Sequence, residues 1–215
     1  ERIKGIIGNQ SLDRILLTSR RYPCTGGAAH IANEFGSCTI HIHPEGQSSL
    51  EKGDFFTTWA NRFDSDMPIT NAEPVTDEDI FPLGNGQISV LSLPGHSSDG
   101  LGYYVMEKDL LVSGPILPRA DRPTRWDLPT GCLPDVIESL MKINQLNLAT
   151  LIPMQGPAIK GVTHIREVLE RHIEYFEQCV KNDGQSPKSW ARPAQTAIWQ
   201  TPNPPWPLIE REDIS

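Results

Sequence analysis

Nowhere in the 215 residues do about 18 apolar side chains run together, so no segment is fit to cross a bilayer as a helix. Basic residues are scarce and dispersed: 19 stand against 27 acidic ones, for a formal charge of −8. Without a basic run the chain has no electrostatic grip on a phosphate backbone or on anionic lipid, so neither nucleic acid nor membrane is an expected partner. The four cysteines, Cys24, Cys38, Cys132 and Cys179, lack CxxC spacing, which excludes a zinc knuckle and gives no disulfide framework. They read as free thiols of a reducing, intracellular compartment. The opening residues lack the charged-then-apolar design of a secretory leader. No internal repeat occurs. What is present is 38% apolar and 21% charged residues, enough for a true core and the profile of a soluble, acidic, globular protein.

Periodicity then divides the chain. Residues 2–9 read as a helix stopped by Gly8-Asn9, and residues 15–17 as a short buried strand. A loop over 18–25 leads to Gly26-Gly27, which opens a helix over 28–35 that Gly36 ends. Residues 39–43 alternate as a strand does and stop at Pro44, after which 45–67 reads as a loop with one helical turn. Residues 77–79 form a solvated acidic turn. A strand over 87–93 ends at Pro94-Gly95, and a hairpin follows with strands 101–106 and 110–113. Residues 115–130 hold four prolines and three arginines and read as a long loop. Amphipathic helices over 134–144 and 161–181 flank a buried strand at 149–153. Strands alternating with helices place the domain, residues 1–183, in the α/β class. Residues 184–215 form a tail; the last 30 residues hold six prolines and three tryptophans, which predict an extended strap docked near Trp190, Trp199 and Trp206.

Three segments stand in a telling order. Residues 15–28 read ILLTSRRYPCTGGA, residues 93–114 read LPGHSSDGLGYYVMEKDLLVSG, and residues 151–159 read LIPMQGPAI. They resemble the metal loop with its Gly-Gly helix start, the Gly-His turn and hairpin, and the Pro-Gly-His-Gly-Pro segment of the metallo-β-lactamase superfamily. The helix over 162–180 is similar to the terminal helix of its glyoxalase II and β-lactamase-like endoribonuclease branch. The resemblance implies an αββα sandwich. It also implies several strands before the metal loop, where about eighteen residues stand here. The expectation is therefore an incomplete N-terminal sheet, whose exposed edge needs cover from a missing segment, a second copy or another protein.

The same resemblance implies a pair of metal ions held by imidazoles and carboxylates, which lower the pKa of a bound water and polarise the scissile group. Carried over one at a time, the seven ligand positions fall on Ser19, Arg21, Pro23, Cys24, His96, Pro115 and Gln155. One histidine, His96, survives. Arg20 and Arg21 bring two permanent positive charges to a place meant for a dication, and like charges about 4 Å apart repel by about 4 kcal/mol at an effective dielectric of 20. Pro115 can neither ligate nor bridge. No metal and no other cofactor is expected.

The surviving residues admit rival readings. His96 is a relic imidazole or a base, and with Cys24 as a thiol nucleophile it would form a metal-independent catalytic pair. Arg20 and Arg21, with Gln155, would instead bind a small anion near the Gly26-Gly27 helix start, or pair with acidic neighbours. Ser97, Ser98 and Asp99 read as turn and capping residues. His41 and His43 share a strand face, and His164 and His172 lie on the last helix. The expectation is a non-hydrolytic homologue acting as an interaction or structural subunit, or as an anionic-ligand binder. Metal-independent chemistry at His96 and Cys24 is the alternative, with zinc-dependent hydrolysis of thioesters or phosphodiesters behind it.

Overall fold

A computed structural model describes residues 2–8, 10–36 and 38–187, so the tryptophan tail expected to form a strap lies outside the described residues. The chain forms two compact units, Glu1–Thr76 and Asp77–Ser215.

The first unit threads α1 (Arg2–Ile7), β1 (Arg14–Leu16), α2 (Tyr22–Thr25), α3 (Ala28–Phe35), β2 (Thr39–Ile42), α4 (Pro44–Glu51) and β3 (Glu73–Pro74). Its three strands are parallel in the order β1-β2-β3. Parallel neighbours need crossovers, and α3 and α4 supply them. Leu17, Ile40, Ile42 and Leu50 form the buried core. Two departures from the expected elements have local causes. Residues 22–25 close into one helical turn, because Pro23 falls in its first turn, where a missing N–H costs no bond. Pro44 ends the strand and also starts α4, whose Gly46, Ser48 and Ser49 hide it from propensity.

The second unit is a six-stranded sheet in the order β4-β5-β6-β7-β8-β9: Ile80–Leu83, Gly86–Ser92, Leu101–Val105, Leu110–Val112, Thr150–Ile152 and Ile159–Lys160. All pairs are antiparallel except β7 with β8. The helix α5 (Leu133–Asn144) lies on the crossover between those two, and α6 (Val162–Lys181) closes the unit. Their apolar faces meet: Val136, Leu140 and Ile143 share one core with Val168, Leu169 and Phe176. Strands β4 and β9 have no counterpart in the sequence reading, the first because Pro82 interrupts it, the second because it is two residues long. Among the described residues no helix is long and apolar enough to cross a membrane.

Candidate functional site

Arg20, Arg21 and Cys24 stand on the segment that follows β1 in the first unit. Both arginines are buried, 5% and 3% exposed. Arg20 Nη1 donates to the Glu45 carbonyl at 2.8 Å, and Arg21 Nη1 donates to the Thr57 carbonyl at 3.0 Å. The Arg21 guanidinium also lies over the Trp59 ring. The backbone joins the same clasp, since Tyr22 N donates to Thr58 O at 2.7 Å. Thr25 Oγ1 donates back towards the carbonyls of Arg20 and Arg21, and Ser19, fully buried, accepts from Arg21 N at 3.2 Å.

The receiving segment is built for this. Asp54 accepts from the backbone N–H groups of Phe56 and Thr57, both at 3.0 Å, and from the Thr57 hydroxyl. Those bonds, the Thr57 hydroxyl first, hold the Asp54 carboxyl below its ordinary value. The turn so formed presents the Thr57 and Thr58 carbonyls to Arg21 and Tyr22. Asp54, Thr57 and Trp59 are thus the residues that sequence reasoning missed here. Carbonyl acceptors leave no trace in a sequence, although the D-x-x-T spacing is a local capping signal.

His96 and Gln155 belong to the second unit. His96 Nδ1 lies 3.1 Å from the Arg125 carbonyl and 3.2 Å from Thr124 Oγ1. The Thr124 hydroxyl gives its own proton to the Pro115 carbonyl at 2.7 Å. Both neighbours of Nδ1 therefore act as acceptors, which calls for a proton on Nδ1. Gly95 makes room for this turn: its φ is +127°, and a Cβ there would meet Val136 N at 2.5 Å. Ser97 O accepts from both Gly95 N and Gly100 N, so the Ser-Ser-Asp segment is a turn in its hydrogen bonding.

Pro115, where the resemblance wants a bridging carboxylate, is a buried residue of the short helical turn Gly114–Ile116. Gln155 is exposed, with its N–H bonded to Pro118 O. It lines a small cleft of about 200 Å³ together with Arg119, Asp121, Lys160 and His164. Arg119 grips Asp121 in a two-pronged pair at 2.7 and 2.9 Å.

Four other histidines are placed by contacts within their own unit. His41 is buried 3.8 Å from Glu73, and burial holds its pKa below the ordinary value. His43 caps α4 by accepting from Glu45 N. His172 is fully buried, bonded through Nε2 to the Ala120 carbonyl, and burial lowers its pKa to about 3. His164 lies beside Glu167 on α6.

Among the described residues no three His, Cys, Asp or Glu side chains gather as a metal ion would require. The donor set at the seven positions is one imidazole, one thiol, a hydroxyl, an amide, a guanidinium and two proline rings. It does not fit a dinuclear centre, which asks for imidazole nitrogen and anionic oxygen.

The chain has the metallo-β-lactamase fold. BLEG-1, a B3 metallo-β-lactamase, matches at 25% identity over 71% of this chain and 73% of its own, with a TM-score of 0.61. TTHA1623, solved in a di-iron-bound form, matches at 24% identity over 74% and 77% of the two chains, again with a TM-score of 0.61. ETHE1 from Myxococcus xanthus is 16% identical, covers 84% of this chain and 72% of its own, and has a TM-score of 0.58. In sequence the chain is similar to Glyoxylase B2 of Dictyostelium discoideum, 28% identical over 102 residues. That match spans 46% of this chain and only 35% of the relative's length. No protein-family model matches.

Proposed function

We propose that this chain is a metallo-β-lactamase-fold homologue that works without a dinuclear metal centre, as an interaction or structural subunit. The observation that carries the reading is Arg21. It stands where the superfamily places a ligand histidine, is 3% exposed, and is committed to the Thr57 carbonyl and the Trp59 ring. A buried cation fixed in this way repels a dication and has no lone pair to offer one. BLEG-1 is named as a lactamase and TTHA1623 carries two irons. On this reading neither property passes to this chain.

Small-anion binding is the second form of the same reading. Gln155, Lys160 and Arg119 on one cleft support it, whereas the guanidiniums of Arg20 and Arg21 are engaged by carbonyls. Metal-independent chemistry at His96 is the rival. Its support is the pair of Nδ1 contacts, to the Arg125 carbonyl and to Thr124 Oγ1, that orient the ring.

The test is elemental analysis of the purified chain after incubation with zinc or ferrous iron, run beside native mass and assays on a β-lactam and a thioester. Substoichiometric metal and no turnover are expected. Stoichiometric metal with turnover of either substrate overturns the reading.

A further inference from the structure

The first unit contains a cleft of about 480 Å³, within the roughly 300–1,000 Å³ of small-molecule sites. It arises because a parallel ladder stops early. Strands β2 and β3 pair only at His41 with Glu73 and Ile42 with Pro74. One step towards the N-terminus the register would join Ile40 to Ala72, but residues 70–72 are drawn to α4 instead. Thr70 N donates to Leu50 O at 3.0 Å, and Gln47 Nε2 donates to Ala72 O at 3.0 Å. Beyond the two pairs, residues 38–40 and 69–72 line the cleft. The alanines Ala29 and Ala32 of α3 also line it, and such short side chains let a ligand backbone come close.

The lining chemistry is selective. Among the described lining residues there is no Lys, Arg or His, which disfavours phosphates and carboxylates, and no aromatic ring on which a base could stack. What remains, apart from one carboxylate, is neutral: apolar Ala29, Ala32, Ile40, Ile69 and Ala72, the Cys38 thiol, and a few hydrogen-bonding side chains. Asn33 and Asn71 are exposed carboxamides, each offering one acceptor and two donors, the complement of a peptide group. Thr39 adds a hydroxyl on the β2 wall. The one charge is the Glu73 carboxylate, placed where the ladder closes; its Oε2 lies 3.8 Å from His41 Nδ1 and its side chain is 67% exposed.

We propose that this cleft binds a short extended peptide with a free amino end, laid between the two lining segments. Its backbone amides bond to Asn33 and Asn71, small side chains rest on Ala29, Ala32 and Ile40, and its ammonium faces Glu73. The peptide is thus held by side-chain carboxamides rather than by main-chain pairing on a sheet edge. The proposal does not rest on the reading of the metal positions, since none of residues 19–25 lines the cleft.

The probe is tetra-alanine with a free amino terminus, titrated into the full chain and followed by amide NMR shifts. Saturable shifts confined to residues 29–40 and 69–73 are expected. Asn71→Ala, an exposed change that leaves the core untouched, should weaken binding about five- to tenfold. Ala32→Leu should abolish it by filling the floor, and N-acetylation of the probe should weaken it by removing the charge facing Glu73. No saturable shift up to the millimolar range overturns the proposal. So does binding that both variants leave unchanged, or shifts centred elsewhere.

Discussion

The Arg21 guanidinium lies 5.4 Å from the centroid of the Trp59 ring. Arg62 takes the same distance over the same ring, so one indole receives two cations. Trp59 itself has a φ of +67°, the left-handed region that costs a non-glycine residue about 1–2 kcal/mol. Cation–π stacking of about 0.5–2 kcal/mol per pair offsets that strain.

Arg21→Lys keeps the charge but loses the planar fork that stacks on Trp59 and reaches the Thr57 carbonyl. A loss of about 1–3 kcal/mol in urea unfolding is expected, summing a weakened stack and a part-buried carbonyl left unpaired. Arg62→Lys, on an exposed residue, should cost less than about 1 kcal/mol. Equal effects from both would show that the part-buried carbonyl bond contributes nothing.

Gly95→Ala should destabilise by about 3 kcal/mol, because the new Cβ meets the Val136 backbone N at 2.5 Å and Cα at 2.7 Å, at a φ of +127°. The start of α5 has to give way. Thermal unfolding measures this, and a melting temperature within a degree or so of wild type would refute the close approach.

His172 makes stability depend on pH. Its folded pKa is about 3, below the ordinary 6.5, so between those values the unfolded chain binds the extra proton. Its contribution is complete above about pH 6.5 and falls as pH drops towards 3, with a slope of at most about 1.4 kcal/mol per pH unit. His172→Gln retains a donor for the Ala120 carbonyl and should flatten this limb of a stability–pH series. An unchanged limb would assign the acid sensitivity to other groups.

Gln155→His adds a second imidazole to the seven positions but leaves Arg21, Pro23 and Pro115 in place. A closed site needs about four ligands. Zinc titration followed by competition with a chromogenic chelator should show no gain in tight binding. A gain to submicromolar affinity would show that the arginines are no obstacle.

Much of the second unit was legible in the sequence, because its helices bury one face at helical spacing and its strands alternate. Val162–Lys181 and the hairpin around Glu107 follow directly from that pattern. The helix Pro44–Glu51 was not, since Gly46 and two serines weaken its propensity and packing of Leu50 decides the matter. At the site, the residue types at the positions that the resemblance implies could be read one by one. The fate of the arginines could not, as their partners are main-chain carbonyls at residues 45 and 57, whose direction only the fold sets. The Asn33–Asn71 cleft was equally hidden: it exists because a ladder ends after two pairs, a fact of register rather than of composition.

The placement of the tryptophans has an optical consequence. The first unit holds a single indole, Trp59, flanked by two guanidiniums, and the stretch 77–187 holds a single one, Trp126, edge-on to Phe176 at 5.5 Å. In a chain cut back to residue 187, each unit would carry one tryptophan, excited selectively over tyrosine at long wavelength, in a distinct electrostatic setting. Replacing Trp59 or Trp126 by phenylalanine would then let emission follow the melting of one unit at a time, without any added label.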